Sequence, residues 1–324
     1  MPDGHSWPRL SIVTPSYNQG QYIEETIRSV LLQGYPNLEY LIVDGGSTDE
    51  SIEIIRRYQK WLNYWVSEPD RGQAHAINKG FYKCTGDIVG WINSDDILLP
   101  QAAERVANAF VKQPYSILFG QVINSFDYFG FGQLMHPRNI TFETIIEPWR
   151  YDMFWHQPGL YVPRGLSLQV GPLDESLRYT FDWDWLCRLL QLATVEYLNQ
   201  PIARFRYHSA SKTVAEMRHW LPEEAIVARR YWPKVKNLDQ RFAEAGLQLH
   251  MASVYLKLNN WDRSKGLQHL VNAIKQSWRV LQLRDFWPTL ARVLTPLMLL
   301  RLTRTLSVFR KRWSDSSRLD EARV

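Results

Sequence analysis

Two adjacent carboxylates, Asp95 and Asp96, end an apolar run in "GWINSDDILLP", Gly90 to Pro100. Like charges side by side repel, and the tip of an apolar strand strips their hydration. A segment that only had to fold has little use for such a pair. As hard oxygen donors the two acids suit Mg2+ or Mn2+. Two carboxylates do not fill a coordination shell, and such ions usually complete it with water and substrate phosphates. The pair therefore predicts a phosphate-bearing ligand; the alternative is a solvated turn. Neither a P-loop pattern nor Gly-x-Gly-x-x-Gly stands at a strand–helix junction, which argues against a P-loop NTPase and a dinucleotide-dependent dehydrogenase.

The elements that must position these acids alternate short apolar runs with amphipathic ones over the first 125 residues, the pattern of a mostly parallel α/β sheet. Strands are predicted at Leu10–Thr14, Glu39–Asp44, Asp87–Asn93 and Ser116–Val122, and one more at Pro201–His208. A helix after the first strand places Ile23, Ile27, Val30 and Leu31 on one face. Ser47 and Glu50 have the spacing of a capping box. Further helices are expected over Gln73–Lys83, Gln101–Lys112 and Trp183–Leu192. The polar residues gather at strand ends, at Ser16 to Asn18, Asp44, and Asn93 to Asp96. Open α/β sheets bind ligands beyond the carboxyl ends of their strands, so one site is implied.

From 124 to about 201 the periodicity weakens among Trp, Tyr, Pro and Gly, as expected of a substrate-side region with loops and an edge hairpin. Beyond Pro233 the pattern is helical only, and "RFAEAGLQLHMASVYLKL" with "RSKGLQHLVNAIKQSW" reads as one antiparallel helix pair. It resembles a single tetratricopeptide hairpin without forming an array. The division predicted is 1–233 for the α/β domain, split into 10–123 and 124–210, and 234–324 for a helical appendage. The tail Phe286–Trp313 contains no acid and carries Arg292, Arg301, Arg304, Arg310, Lys311 and Arg312. It reads either as a basic amphipathic helix lying on an anionic membrane surface or as a helix packed on the main domain.

Composition bounds the rest. Apolar residues at 45% and charged residues at 22% of 324 call for a packed core. The net charge of +5 favours anionic partners such as nucleotides or acidic lipids; nothing points to a nucleic acid. The aromatic load of 14 Trp and 16 Tyr suits carbohydrate stacking as well as core packing. Cys84 and Cys187 match no metal or redox spacing and read as buried thiols in a reducing compartment. No apolar leader core or run of 18 apolar residues occurs. A cytoplasmic protein, peripheral on the inner face of a membrane, is the expectation.

"VTPSYNQGQYIEETIRSVLLQ", "YLIVDGGSTDES", "SEPDRGQAHAINKG" and "GWINSDD" follow one another in this order. As a set they resemble the nucleotide-sugar half of family 2 glycosyltransferases with the GT-A fold, strongly over Leu10 to Phe110 and more weakly to His208. The resemblance implies that Pro15, Ser16 and Tyr17 form the first strand–loop junction, with the Tyr17 ring against the nucleobase. It implies that Asp44 accepts a hydrogen bond from the base, that Asp70 and Gly72 lie near ribose and diphosphate, and that Asn78 faces the nucleotide. Arg71 could pair with phosphate, or be an ordinary exposed arginine. The family's Asp-x-Asp motif is altered: Asn93 replaces the first acid and Asp95 fills the second position. Asp95 is thus the implied ligand of Mg2+ or Mn2+, with Ser94 and Asp96 against the nucleotide sugar. His208 in "RYHSASKT" falls beside the metal or diphosphate, or is structural.

"YTFDWDWLCRLL" resembles the family's Glu-Asp-x-Asp-Leu-Trp segment, with Phe181 in place of the Glu. Asp182 falls on the position of the base, and apolar neighbours raise a carboxylate's pKa toward a useful range. Asp184 is its rival, and also reads as a first-turn acid favoured by the helix dipole. His156 and Gln157 would line the donor–acceptor junction. The function implied is transfer of a hexose from a nucleotide diphosphate sugar to an acceptor hydroxyl with inversion, in cell-surface polysaccharide or glycolipid assembly on a saccharide or lipid-linked saccharide acceptor. Two rivals stand: a non-catalytic carbohydrate- or membrane-binding module on the same fold, and a sugar-1-phosphate nucleotidylyltransferase. The latter would want a Gly-rich basic loop where "TPSYNQG" stands.

Overall fold

A computed structural model describes residues 6–126, 132–208, 211–212, 216–257 and 261–295. The chain divides into two compact units, Met1–Val235 and Lys236–Val324.

The first unit is built on a nine-stranded sheet: β1 (Leu10–Ser16), β2 (Leu38–Asp44), β3 (Tyr64–Ser67), β4 (Ile88–Trp91), β5 (Ile97–Leu98), β6 (Ile117–Phe126), β7 (Gly132–Met135), β8 (Leu160–Pro163) and β9 (Val195–Tyr207). The order is β3-β2-β1-β4-β8-β6-β9-β5, with β7 paired to β6. β1 lies parallel to both β2 and β4, and β2 parallel to β3. β8 runs antiparallel between β4 and β6. The long β9 runs parallel to β6 and antiparallel to β5. Every residue of β1 is buried, as a strand covered on both faces requires, and its near-continuous apolar run follows from that.

Helices α1 (Gly20–Leu31), α2 (Ser51–Tyr58), α3 (Gln73–Lys83) and α4 (Ala102–Lys112) flank the sheet. α1 buries Ile23, Ile27 and Val30 against a core that includes Leu10, Ile12, Ile42 and Ile54. On the acceptor side come α5 (Phe142–Ile145), α6 (Arg164–Val170), α7 (Phe181–Leu189) and α8 (Met217–Tyr231). The expected α/β class, its four N-terminal strands and the flanking helices are present. Two differences are informative. β3 and β8 are four-residue strands, too short to show a period. β9 extends through Pro201, and the register of its pairing with β6 shifts on either side of Gln121, a bulge that removes the need for a ladder donor at proline.

The second unit holds α9 (Gln240–Tyr255), α10 (Arg263–Gln276) and α11 (Phe286–Leu294). Asp239 and Asp262 cap α9 and α10 by accepting from the N–H of Phe242 and Lys265. Leu249, Ala252, Leu256, Leu270, Ala273, Val280, Phe286 and Val293 form its core. Of the basic tail, 286–295 is described and 296–313 lies outside the described residues.

Candidate active site

The β1–α1 and β2–α2 loops are sewn together. Asn18, at φ 51°, receives the Thr48 N–H on its side-chain oxygen at 2.8 Å and gives its own N–H to Ser47 Oγ at 2.8 Å. Asp49 accepts from the N–H of Gly20 and of Ser51, tying the starts of α1 and α2 together. The Ser47–Glu50 capping box is not formed: α2 begins at Ser51, and the Ser47 hydroxyl donates to Asp44 Oδ1 at 2.5 Å. Tyr17, beside this stitched corner, is 60% exposed, and Pro15 is buried within β1.

Asp44, the expected acceptor for a base, stands at the end of β2. It is fully buried, and its carboxylate accepts from the N–H of Gly46 and Ser47 and from the hydroxyls of Ser47 and Ser67. Asp44 therefore organises the turn and joins it to β3. Asp70 accepts the Gly72 N–H at 2.8 Å. Gly72, at φ 118°, starts α3 with a backbone that L side chains rarely adopt. Gly45 packs closely on the same acid: a Cβ there would come within 2.8 Å of the Asp70 carboxylate. Asn78 is half-buried and lines an open pocket of about 390 Å3 together with Arg71, His75 and Glu175. Its amide binds the N–H and carbonyl of Leu173 and the Glu175 carboxylate, docking the 173–175 turn on α3. Arg71 pairs with the same Glu175.

At the end of β4 the two acids diverge. Asp95 presents Oδ2 to His208 Nε2 at 3.0 Å, and the His208 ring packs on Tyr22 of α1 with centroids 4.5 Å apart. Asp96 turns inward and is 1% exposed, accepting the Arg206 N–H at 3.0 Å and approached by the Asn93 amide. Burial, with the Asp95 charge beside it, pushes its carboxyl well above the usual range. Ser94 is buried too. Its carbonyl and that of Asp96 both accept from the Thr26 hydroxyl, at 2.9 and 2.7 Å. Ser94 and Asp96, the expected sugar contacts, thus also hold the loop together.

A polar chain leads from this loop across the site. The Asn93 amide approaches Gln157 Oε1 at 3.3 Å, and Gln157 Nε2 donates to the Trp91 carbonyl at 2.9 Å. Gln73, the first residue of α3, donates to Asn93 Oδ1 at 2.8 Å and accepts from Lys212 Nζ at 2.9 Å. The turn that brings Lys212 inward is closed by Ser211, whose N–H and hydroxyl both donate to the His208 carbonyl. The Lys212 ammonium stands in the field of Asp182 and Asp95, as well as of Arg178 and Glu216, and burial lowers its pKa. Asp95 and Asp182, 87 positions apart in the sequence, thus both lie within the electrostatic reach of Lys212. His156 stacks on Phe205 with centroids 5.0 Å apart and meets Phe154 edge-on. Its Nε2 is buried without a partner, and desolvation holds it neutral, with a pKa lowered to about 4.

Asp182 lies in the first turn of α7. Its carboxylate accepts the Trp183 N–H at 2.8 Å, and among the described residues no arginine or lysine forms an ion pair with it. Burial raises its carboxyl to about 6. Asp184 is its opposite: 1% exposed, it is held by Arg188, Arg230 at 2.6 Å and the Tyr231 hydroxyl at 2.8 Å. Glu223 of α8 fixes the approach to α7 by accepting the N–H groups of Arg178, Tyr179 and Thr180. The sequence reading missed Lys212 and Glu223. Both act at long range, and only the "SASK" turn after His208 hints at the lysine.

Among the described residues no three His, Cys, Asp or Glu side chains cluster as a metal site. Asp95 Oδ2 and His208 Nε2 do make a two-donor corner, which fits an ion that takes its remaining ligands from water and phosphate.

The class follows from comparison with known proteins. Residues 11–161 match the model of glycosyl transferase family 2. An uncharacterized glycosyltransferase of Rickettsia typhi is 26% identical over 68% of this chain and 70% of its own length. TuaG of Bacillus subtilis, whose name ties it to teichuronic acid biosynthesis, is 30% identical over 43% of this chain and 58% of its own. Among solved structures, S. aureus TarS in complex with UDP superposes with a TM-score of 0.54 at 18% identity, over 84% of this chain and 91% of that one. The mannosyltransferase PcManGT of Pyrobaculum calidifontis, in complex with GDP-Man and Mn2+, gives 0.55 at 18%, over 96% and 84%. These likenesses establish a GT-A-type fold. The protein is a glycosyltransferase, and residues 11–161, which carry the Asp95 side of the site, match glycosyl transferase family 2.

Proposed function

We propose that the protein transfers a hexose from a nucleotide diphosphate sugar to an acceptor hydroxyl with inversion at the anomeric carbon. The observation that carries this reading is the contrast within α7: Asp182 forms no ion pair among the described residues, is partly buried and is raised to about 6, whereas Asp184 is saturated. Asp182 is the base. The acceptor oxygen attacks the anomeric carbon, its proton passes to the Asp182 carboxylate, and the bond from that carbon to the diphosphate oxygen breaks with its electron pair. One base and a single displacement support inversion, with no covalent intermediate.

Tyr17 at the stitched corner, with Asp70 and Gly72 at the start of α3, forms the nucleotide side. His156 and Gln157 form the junction with the acceptor. Asp95 and His208 would hold Mg2+ or Mn2+, which supplies positive charge to the departing diphosphate when bound. The presence of Mn2+ in the mannosyltransferase complex supports that choice. Lys212, held by Gln73, brings a second positive charge between metal corner and base. The acceptor class proposed is a saccharide or lipid-linked saccharide in cell-surface polysaccharide or glycolipid assembly, which the teichuronic acid relative supports. We take its place of action as the inner face of the cytoplasmic membrane. The domain division proposed is 1–233 for catalysis and 234–324 for the helical appendage.

Incubating the protein with UDP- and GDP-sugars and Mn2+, and following release of nucleoside diphosphate, tests the reading. Turnover that Asp182→Asn abolishes while nucleotide binding survives is expected. Undiminished turnover in that variant would remove Asp182 from the chemistry and favour the non-catalytic module.

A further inference from the structure

The second unit carries an apolar face that its own core does not use. α10 buries Gly266, Leu270 and Ala273 against α9, so closely that a Cβ on Gly266 would come within 2.6 Å of Leu256. Leu267, Val271 and Ile274 follow the i, i+4, i+7 spacing of one helix face, offset from that buried stripe, and all three are exposed. Trp278, just beyond the helix, is 67% exposed and continues the run. α11 repeats the design, with Phe286, Thr289 and Val293 buried, Trp287 62% exposed and Leu294 66% exposed. Scattered exposed apolar residues need no explanation, but two successive helices each with an outward apolar stripe do.

Charge decides the occupant. Residues 263–295 contain Arg263, Lys265, Lys275, Arg279, Arg284 and Arg292 against a single acid, Asp285. Arg263 and Lys275 are exposed, on either side of the α10 stripe, and form no ion pair among the described residues. A second copy of this chain would bring like charge onto like charge. So would the chain beyond Thr295, which through Trp313 has five basic residues and no acid. A soluble polyanion would satisfy the cations and leave Trp278, Ile274 and Trp287 in water. We infer that the outer face of α10 and α11 seats on an anionic lipid bilayer, with Leu267, Val271, Ile274, Trp278 and Trp287 entering the headgroup–acyl boundary and Arg263 and Lys275 contacting acidic headgroups. This extends the reading of the tail to a folded surface that precedes it, and it stands independently of the sugar-transfer chemistry.

The test uses the full chain and vesicles of phosphatidylcholine with or without phosphatidylglycerol, scored by co-sedimentation. Two variants are compared with the wild type, Val271→Asp/Ile274→Asp/Trp278→Ser and Arg263→Glu/Lys275→Glu. All these positions are exposed, and unchanged helix content by circular dichroism verifies each fold. The wild type should sediment with anionic vesicles only, and each variant should partition about tenfold more weakly or worse. Wild-type partitioning by both variants would overturn the proposal and leave any lipid contact to the tail. So would a wild type that ignores anionic vesicles. Conversion of a dimer to a monomer by the apolar variant, with sedimentation unchanged, would assign the face to self-association instead.

Discussion

His208 Nε2 and Asp95 Oδ2 meet at 3.0 Å although 113 positions separate them in the chain. The contact joins the end of β9 to the loop after β4 and forms the two-donor corner of the site. On the proposed metal reading, replacing His208 with Ala would remove one donor and leave Asp95 to hold the ion alone. The Mn2+ concentration for half-maximal turnover should rise about tenfold or more. An unchanged Mn2+ titration would take His208 out of the metal corner.

Asp182 fixes the acid side of the pH profile. A base works deprotonated, so kcat/KM should fall as pH drops through about 6. Asp182→Asn should lower kcat by roughly a hundredfold or more. The same shift affects stability with a definite sign. Because the folded state holds this proton more tightly than the unfolded chain, the group's contribution is fully present below its ordinary value of 3.8 and is lost as pH rises through about 6. Melting curves at pH 7 should therefore show Asp182→Asn at least as stable as the wild type, and a marked loss of Tm would contradict the assignment.

Lys212 lowers the Asp182 pKa, against the larger effect of burial. In Lys212→Met the acid limb of the profile should move to higher pH while kcat falls, and Lys212→Arg should recover part of both. A structural lysine would change stability and leave the limb where it was.

Asp184 and Glu223 separate folding from chemistry. Asp184→Ala leaves Arg230 and Arg188 without their buried acid and should cost about 3 kcal/mol of stability, with kcat per folded molecule retained. Glu223→Ala frees three N–H groups ahead of α7. Misplacing the base in this way should reduce kcat by about tenfold to a hundredfold with a smaller change in KM. Chemical denaturation alongside steady-state kinetics distinguishes the two.

The N-terminal half was legible because its strands are buried on both faces and its helices have one apolar stripe each, so period and length agree. α3 is found at its expected bounds, Gln73–Lys83. β8, a four-residue strand in the middle of the sheet, left no period to find. The acids show a subtler limit. Asp95 and Asp96 are adjacent in the sequence, yet one faces His208 and the other is enclosed with Arg206, and only the loop's path decides which. Asp44 has the residue type of a ligand contact, and one of the donors around its carboxylate is Ser67, a residue 23 positions away. Sequence spacing exposes the motif but not the partners that close over it.

Thr26 gives the fold a consequence for how the site can respond. Its single hydroxyl holds the carbonyls of Ser94 and Asp96, while Tyr22 and Glu25, on the same helix, meet His208 and Arg206. Asp95 and His208, the donors of the proposed metal corner, are therefore both braced by α1. Any displacement of that one helix would carry the two together and leave their spacing as it is.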